Sequence, residues 1–64
     1  MGQGYYRDVI TELKRAGFRQ IAAGKGSHEK WESPQGKWVL VPRNTKSRHT
    51  ANAILKSAGL GAKF

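Results

Sequence analysis

The sequence predicts an α+β fold in the order helix, strand, strand, strand, helix (αβββα), a three-stranded antiparallel sheet with two helices on one face. Three observations carry this prediction. Apolar residues toward each end of the chain recur at the i, i+3, i+4, i+7 spacing of one helical face. The middle of the chain instead holds short runs broken by Gly24, Gly26 and a Pro34-Gln35-Gly36 turn. The length, 64 residues, allows a single domain over 1–64 and no second one. A chain this short buries only about 60% of the surface its unfolded form exposes. Two helices covering one sheet face, with the other face left open, is a layering that closes a core from these pieces.

Each element has its own justification. From Tyr5 to Ala16, the residues Tyr6, Val9, Ile10, Leu13 and Ala16 form an apolar stripe, while Arg7, Thr11, Lys14 and Arg15 populate the other side. Lys14 and Arg15 suit the negative end of the helix dipole, and Gly17 with Phe18 reads as a glycine C-cap and its apolar contact. Phe18 to Ala23 is expected as a first strand, although its alternation is poor and alanine is a weak strand former. His28 to Ser33 is a second strand with Glu29 and Trp31 on one face and His28, Lys30 and Glu32 on the other. A Ser33-Pro34-Gln35-Gly36 turn leads to a third strand, Lys37 to Val41, which Pro42 is expected to close because it has no ladder donor. After a basic loop from Arg43 to Ser47, a second helix runs from Arg48 to Ala58 with Ser47 as N-cap. Its stripe is Ala51, Ile54, Leu55 and Ala58; Gly59-Leu60 repeats the ending of the first helix, and Gly61 to Phe64 is a tail.

Twelve Lys and Arg stand against four Asp and Glu, a net charge of +8. That balance favours a polyanionic partner: nucleic acid, an acidic protein or an anionic surface. No run approaches the roughly 20 apolar residues of a membrane span, and no signal-peptide h-region is present. A cytoplasmic protein without a membrane partner is therefore expected. There is no cysteine, and the two histidines, His28 and His49, are far apart in sequence. Disulfides and zinc–thiolate sites are excluded, and neither a metal nor another cofactor is expected.

The segment Gly24-Lys25-Gly26-Ser27-His28 carries the chemistry. Glycine lets a backbone approach a ligand closely, and consecutive N–H groups in such a turn make an anion-binding concavity. Histidine, which follows at once, is the side chain best suited to proton transfer near neutral pH. In so basic a chain the natural anion is phosphate, so the expectation is an RNA phosphate held against a catalytic His28. RNA can be cut without a metal because its 2′-OH is an internal nucleophile that a general base can activate. Lys25, Lys30 and the Gly26-Ser27 amides are candidates to stabilise charge on the phosphorus. Lys37, Arg43, Lys46 and Arg48 border the hairpin and could track further phosphates. His49 is either a second acid–base group or a structural or RNA-contacting residue. Trp31, opposite His28, reads as core.

Ala16-Gly17-Phe18, Gly26-Ser27-His28, the Pro-x-Gly turn, Val39-x-Val41-Pro42 and Ile54-Leu55-Lys56-x-Ala58-Gly59-Leu60 together resemble the HicA toxins. The likeness runs from about Tyr5 to Leu60. It implies a double-stranded-RNA-binding-domain-like fold and a toxin of a type II toxin–antitoxin system. The activity it implies is an mRNA interferase, an endoribonuclease on mRNA that depends on the histidine of the Gly-Ser-His motif, here His28. It further implies a HicB-type antitoxin that binds the toxin and blocks that histidine. Three departures stand out. Glu29 occupies a place where the family often has a second histidine. The stretch from Phe18 to His28 is about one residue longer than usual, as a bulge would make it. Lys46-Ser47-Arg48-His49-Thr50 replaces a frequent Pro-Gly pair.

The family pattern keeps Val39 and Val41 apolar and lets their neighbours vary, which puts Trp38 and Leu40 on the open face. Together with His28 they form the expected antitoxin interface, although Trp38 could instead stack on an RNA base. Two other functions stay open at this point: a non-catalytic RNA-binding module of the same layout, and an accessory protein that docks on an acidic partner without touching RNA.

Overall fold

A computed structural model describes residues 4–23 and 28–64. The chain folds as α1 (Tyr6–Arg15), β1 (Arg19–Ala23), β2 (His28–Glu32), β3 (Trp38–Pro42) and α2 (Arg48–Ser57). The strands form one antiparallel sheet in the order β1-β2-β3. This is the αβββα arrangement that the sequence predicts, with element ends displaced by about one residue. One displacement has a cause. β3 continues through Pro42, which pairs with His28, instead of stopping at Val41. β3 is an edge strand, and an edge tolerates a residue that cannot donate.

The core lies between one sheet face and the two helices. Val9 and Leu13, four residues apart on α1, meet Ala51, Ile54, Leu55 and Ala58 of α2, and the sheet adds Trp31, Val39 and Val41. Phe18, between α1 and β1, completes the buried set. Alternation on β2 and β3 decides which side chains enter. Glu29, Trp31, Val39 and Val41 are buried, whereas His28, Trp38 and Leu40 are exposed.

The poor alternation of β1 has a structural explanation. Gln20 pairs with Trp31 and Ala22 with Lys30, so Ile21 is an extra residue without a partner, a β-bulge. The bulge resets the side-chain period, placing Arg19 and Ala22 on the open face with their partners Glu32 and Lys30.

Both helices end alike. Phe18 N bonds Leu13 O at 2.9 Å and Gly17 N bonds Lys14 O at 3.0 Å; Leu60 N to Leu55 O and Gly59 N to Lys56 O, both at 2.9 Å, repeat the pattern. These are Schellman endings. Gly17 has φ +91°, and a Cβ there would press on the Pro34 ring at 3.3 Å, so glycine is required twice over. At the start of α2, the Ser47 hydroxyl accepts from His49 N and Thr50 N, as its N-cap role predicts.

The C-terminal segment is not a loose tail. Asn52, half-buried on α2, accepts from Lys63 N and Phe64 N at 3.0 Å each and donates to Phe64 O at 3.2 Å. The Phe64 ring packs 5.3 Å from that of Tyr5. Among the described residues, no helix is long and apolar enough to cross a membrane.

Candidate functional site

The open face of the sheet is read row by row from the register. His28 pairs with Pro42, Lys30 with Ala22 and Leu40, and Glu32 with Arg19 and Trp38. Strand alternation therefore gathers His28, Lys30, Trp38 and Leu40 on one surface. Trp38 is 52% exposed and Leu40 48%. The ammonium of Lys30 sits 4.5 Å from the Trp38 ring centroid, a cation–π pair that fixes the indole across the face. His28 is exposed at the end of β2, beside the start of the β3–α2 loop. An imidazole there is free to meet a ligand, with a cation two residues along the same face and an aromatic plane beyond it.

Directly behind His28, Glu29 points the other way and is 3% exposed. Its carboxylate collects three donors. The Tyr6 hydroxyl lies 2.7 and 2.8 Å from its two oxygens, Trp31 Nε1 donates to Oε1 at 3.1 Å, and Arg43 Nε donates to Oε2 at 2.9 Å. Burial pushes the Glu29 pKa up, but the bonds from Arg43, Tyr6 and Trp31 outweigh it and hold the group below the usual carboxylate range. Burial, and then the Glu29 carboxylate, push the Tyr6 hydroxyl up. Glu29 raises the Arg43 guanidinium further above its ordinary value. The cluster ties α1, β2 and the β3–α2 loop together immediately beneath His28, and every buried side-chain polar atom among the described residues has a partner.

The remaining predicted residues are spread over the molecule. Lys25, Gly26 and Ser27 lie outside the described residues. Arg43 and Lys46 line a groove with Tyr6, Arg7, Asn44 and Thr45 near the His28 end of the sheet. Arg48 and His49 are exposed in the first turn of α2, which has no acidic residue. The Arg48 cation at the positive end of a helix is locally unfavourable, so a bound anion would relieve it. Lys37 is elsewhere: it follows the Ser33–Gly36 turn at the far end of the hairpin, and its ammonium lies near Gly59, just past the C-terminus of α2. That is where the helix dipole favours a cation. No group of three or more His, Cys, Asp and Glu side chains converges on a metal-sized site among the described residues.

Sequence reasoning missed the Glu29 cluster. The available signal was a carboxylate at an inward position of β2, on the face of Trp31, because a buried charge requires a partner.

The comparison with family models decides the relationship, since residues 6–60 match the HicA toxin family of bacterial toxin–antitoxin systems. The chain belongs to the HicA family. It is thus a toxin-family protein of a toxin–antitoxin system, matched from the first residue of α1 to the Leu60 that closes the ending of α2. Comparison with curated proteins and with solved structures gives no match.

Proposed function

We propose that this HicA-family chain is an endoribonuclease that cleaves mRNA with His28 as general acid or base, and that a HicB-type antitoxin silences it. The observation that carries the reading is the exposed His28 at the end of β2, on a face that also presents Lys30 and Trp38. In the reaction a base removes the ribose 2′-OH proton and the oxygen attacks the adjacent phosphorus. The bond to the 5′ oxygen breaks as an acid protonates the leaving group. The products are a 2′,3′-cyclic phosphate and a 5′-OH. His28 serves one of the proton transfers, and such a group typically contributes about 10²–10⁴-fold. Lys30 stabilises charge on the phosphorus, with Lys25 and the Gly26-Ser27 amides in the same role. Arg43, Lys46 and Arg48 bind along the RNA backbone, while Lys37, at the far end of the hairpin, lies off this path. DNA lacks the 2′-OH and is inert in this scheme.

Leu40 and Trp38 share the open face with His28, one and two rows along from it, and large exposed apolar side chains on so small a chain mark an interface. An antitoxin seated on them covers His28 and the RNA path at once. Expression in bacteria tests both halves. Wild type arrests growth, and His28→Ala or co-expression of the antitoxin relieves the arrest. An arrest that persists in His28→Ala would refute the assignment of the histidine.

A further inference from the structure

The groove between the first turn of α1 and the β3–α2 loop lies around the end of the sheet from His28. Its volume is about 510 Å³, within the range of roughly 300–1,000 Å³ typical of small-ligand sites. Arg7, Arg43 and Lys46 line it together with Tyr6 and Asn44, and no carboxylate does among the described residues.

The walls are built rather than draped. Tyr5 N donates to Thr45 O at 2.7 Å, and Thr45, buried, donates through its hydroxyl to Pro42 O at 2.6 Å. A Cβ at Gly4 would stand 2.5 Å from Thr45 O, so only glycine lets the two segments close. The Tyr6 ring is fixed through its hydroxyl on Glu29. Arg43 is fixed through Nε, while its side chain remains 65% exposed. A guanidinium anchored in this way presents its two Nη groups as a pre-oriented fork, the geometry that grips a phosphate with two bonds.

We propose that this groove holds a phosphodiester of the RNA strand beyond the one at His28, clasped by Arg43, Arg7 and Lys46 with its nucleotide against the Tyr6 ring. The proposal rests on the ribonuclease reading and extends it: the strand turns over the sheet end at Pro42, the partner of His28, and Arg43 takes the next contact. Glu29 is then a positioning residue, because it aims Arg43 and touches no RNA.

The test measures binding of wild-type protein to a short 2′-O-methyl oligoribonucleotide, which has no nucleophilic 2′-OH. Affinity is followed by fluorescence anisotropy from about 50 to 200 mM salt, where each phosphate contact on a single strand contributes about 0.7 to the log–log slope. The double variant Arg7→Gln/Lys46→Gln should lower that slope by about 1.4 relative to wild type. Arg15→Gln/Lys56→Gln removes the same charge at the C-terminal ends of the two helices and should leave the slope near the wild-type value. Equal slopes for the two variants would overturn the proposal. So would a groove variant that keeps its RNA slope and loses only antitoxin affinity, which would make the groove a site for an acidic protein. If wild type shows no salt-dependent RNA binding, the ribonuclease reading itself fails and takes the groove assignment with it.

Discussion

Replacing Glu29 with glutamine probes how the interior supports the site. The wild-type carboxylate accepts from Tyr6, Trp31 and Arg43 at 3% exposure. A hydrogen bond to a charged group contributes about 1.5–3 kcal/mol. Glutamine keeps one carbonyl oxygen for one donor and turns an N–H₂ toward another, while the burial penalty of the charge disappears. Arg43, largely in solvent, rehydrates. The expected net loss is about 2 kcal/mol, a fall in Tm of roughly 8–16 °C for a domain this size. The pH dependence has a definite sign. The folded pKa of Glu29 lies below its ordinary 4.5, so its stabilisation is complete above that value and fades as pH falls through the folded pKa. Urea midpoints measured from neutral to acid pH should show the wild type losing ground to Glu29→Gln as the solution is acidified. Melting within about 3 °C of wild type, with a difference that does not change with pH, would refute the account of this cluster.

Three further outcomes follow from the geometry. Trp38→Ala removes the cation–π contact with Lys30, worth about 0.5–1 kcal/mol, so thermal melts should move little. Antitoxin affinity measured by calorimetry should drop roughly 30-fold or more, as for a hot-spot aromatic; unchanged affinity would remove Trp38 from the interface. Ser47→Ala deletes the two N-cap bonds of α2 and should cost about 1 kcal/mol, or roughly 4–8 °C in Tm. Leu55→Ala empties a fully enclosed position at a cost of about 2–5 kcal/mol. Against a total of about 3–10 kcal/mol for a chain of this length, that is a large fraction of the stability, and thermal melts followed by circular dichroism should show Tm lowered by at least about 8 °C.

The helices and the hairpin were legible because their signals are local. The stripe of Val9 and Leu13, the glycines at 17 and 59, and the alternation of Glu29 and Trp31 each act within a few residues. The open-face positions of Trp38 and Leu40 needed more, since an all-apolar run has no period to read; the family pattern supplied it, and their exposure agrees. β1 was harder, because the bulge at Ile21 breaks the alternation that identifies a strand. What joins distant segments was not legible. The Glu29–Arg43 pair spans fourteen positions and the Tyr6–Glu29 bond twenty-three. The anchoring of Phe64 by Asn52 likewise depends on where the chain returns in space. For the candidate site, the sequence offered His28 and a set of cations, and the fold adds where they lie: His28 exposed at the end of β2, with Arg43 and Lys46 around the same end of the sheet. Sequence reasoning grouped Lys37 with Arg43, Lys46 and Arg48 because all border the hairpin, and only the fold shows that Lys37 lies at the opposite end from His28.

Analysis of RNA cleavage products in EDTA, comparing wild type with a folded His28→Ala variant, tests the central claim most directly. Wild type should generate fragments ending in 2′,3′-cyclic phosphate and beginning with 5′-OH, and the variant should be slower by about 10²–10⁴-fold while still binding RNA. Cleavage that EDTA abolishes, or that proceeds equally fast without the imidazole, would contradict it.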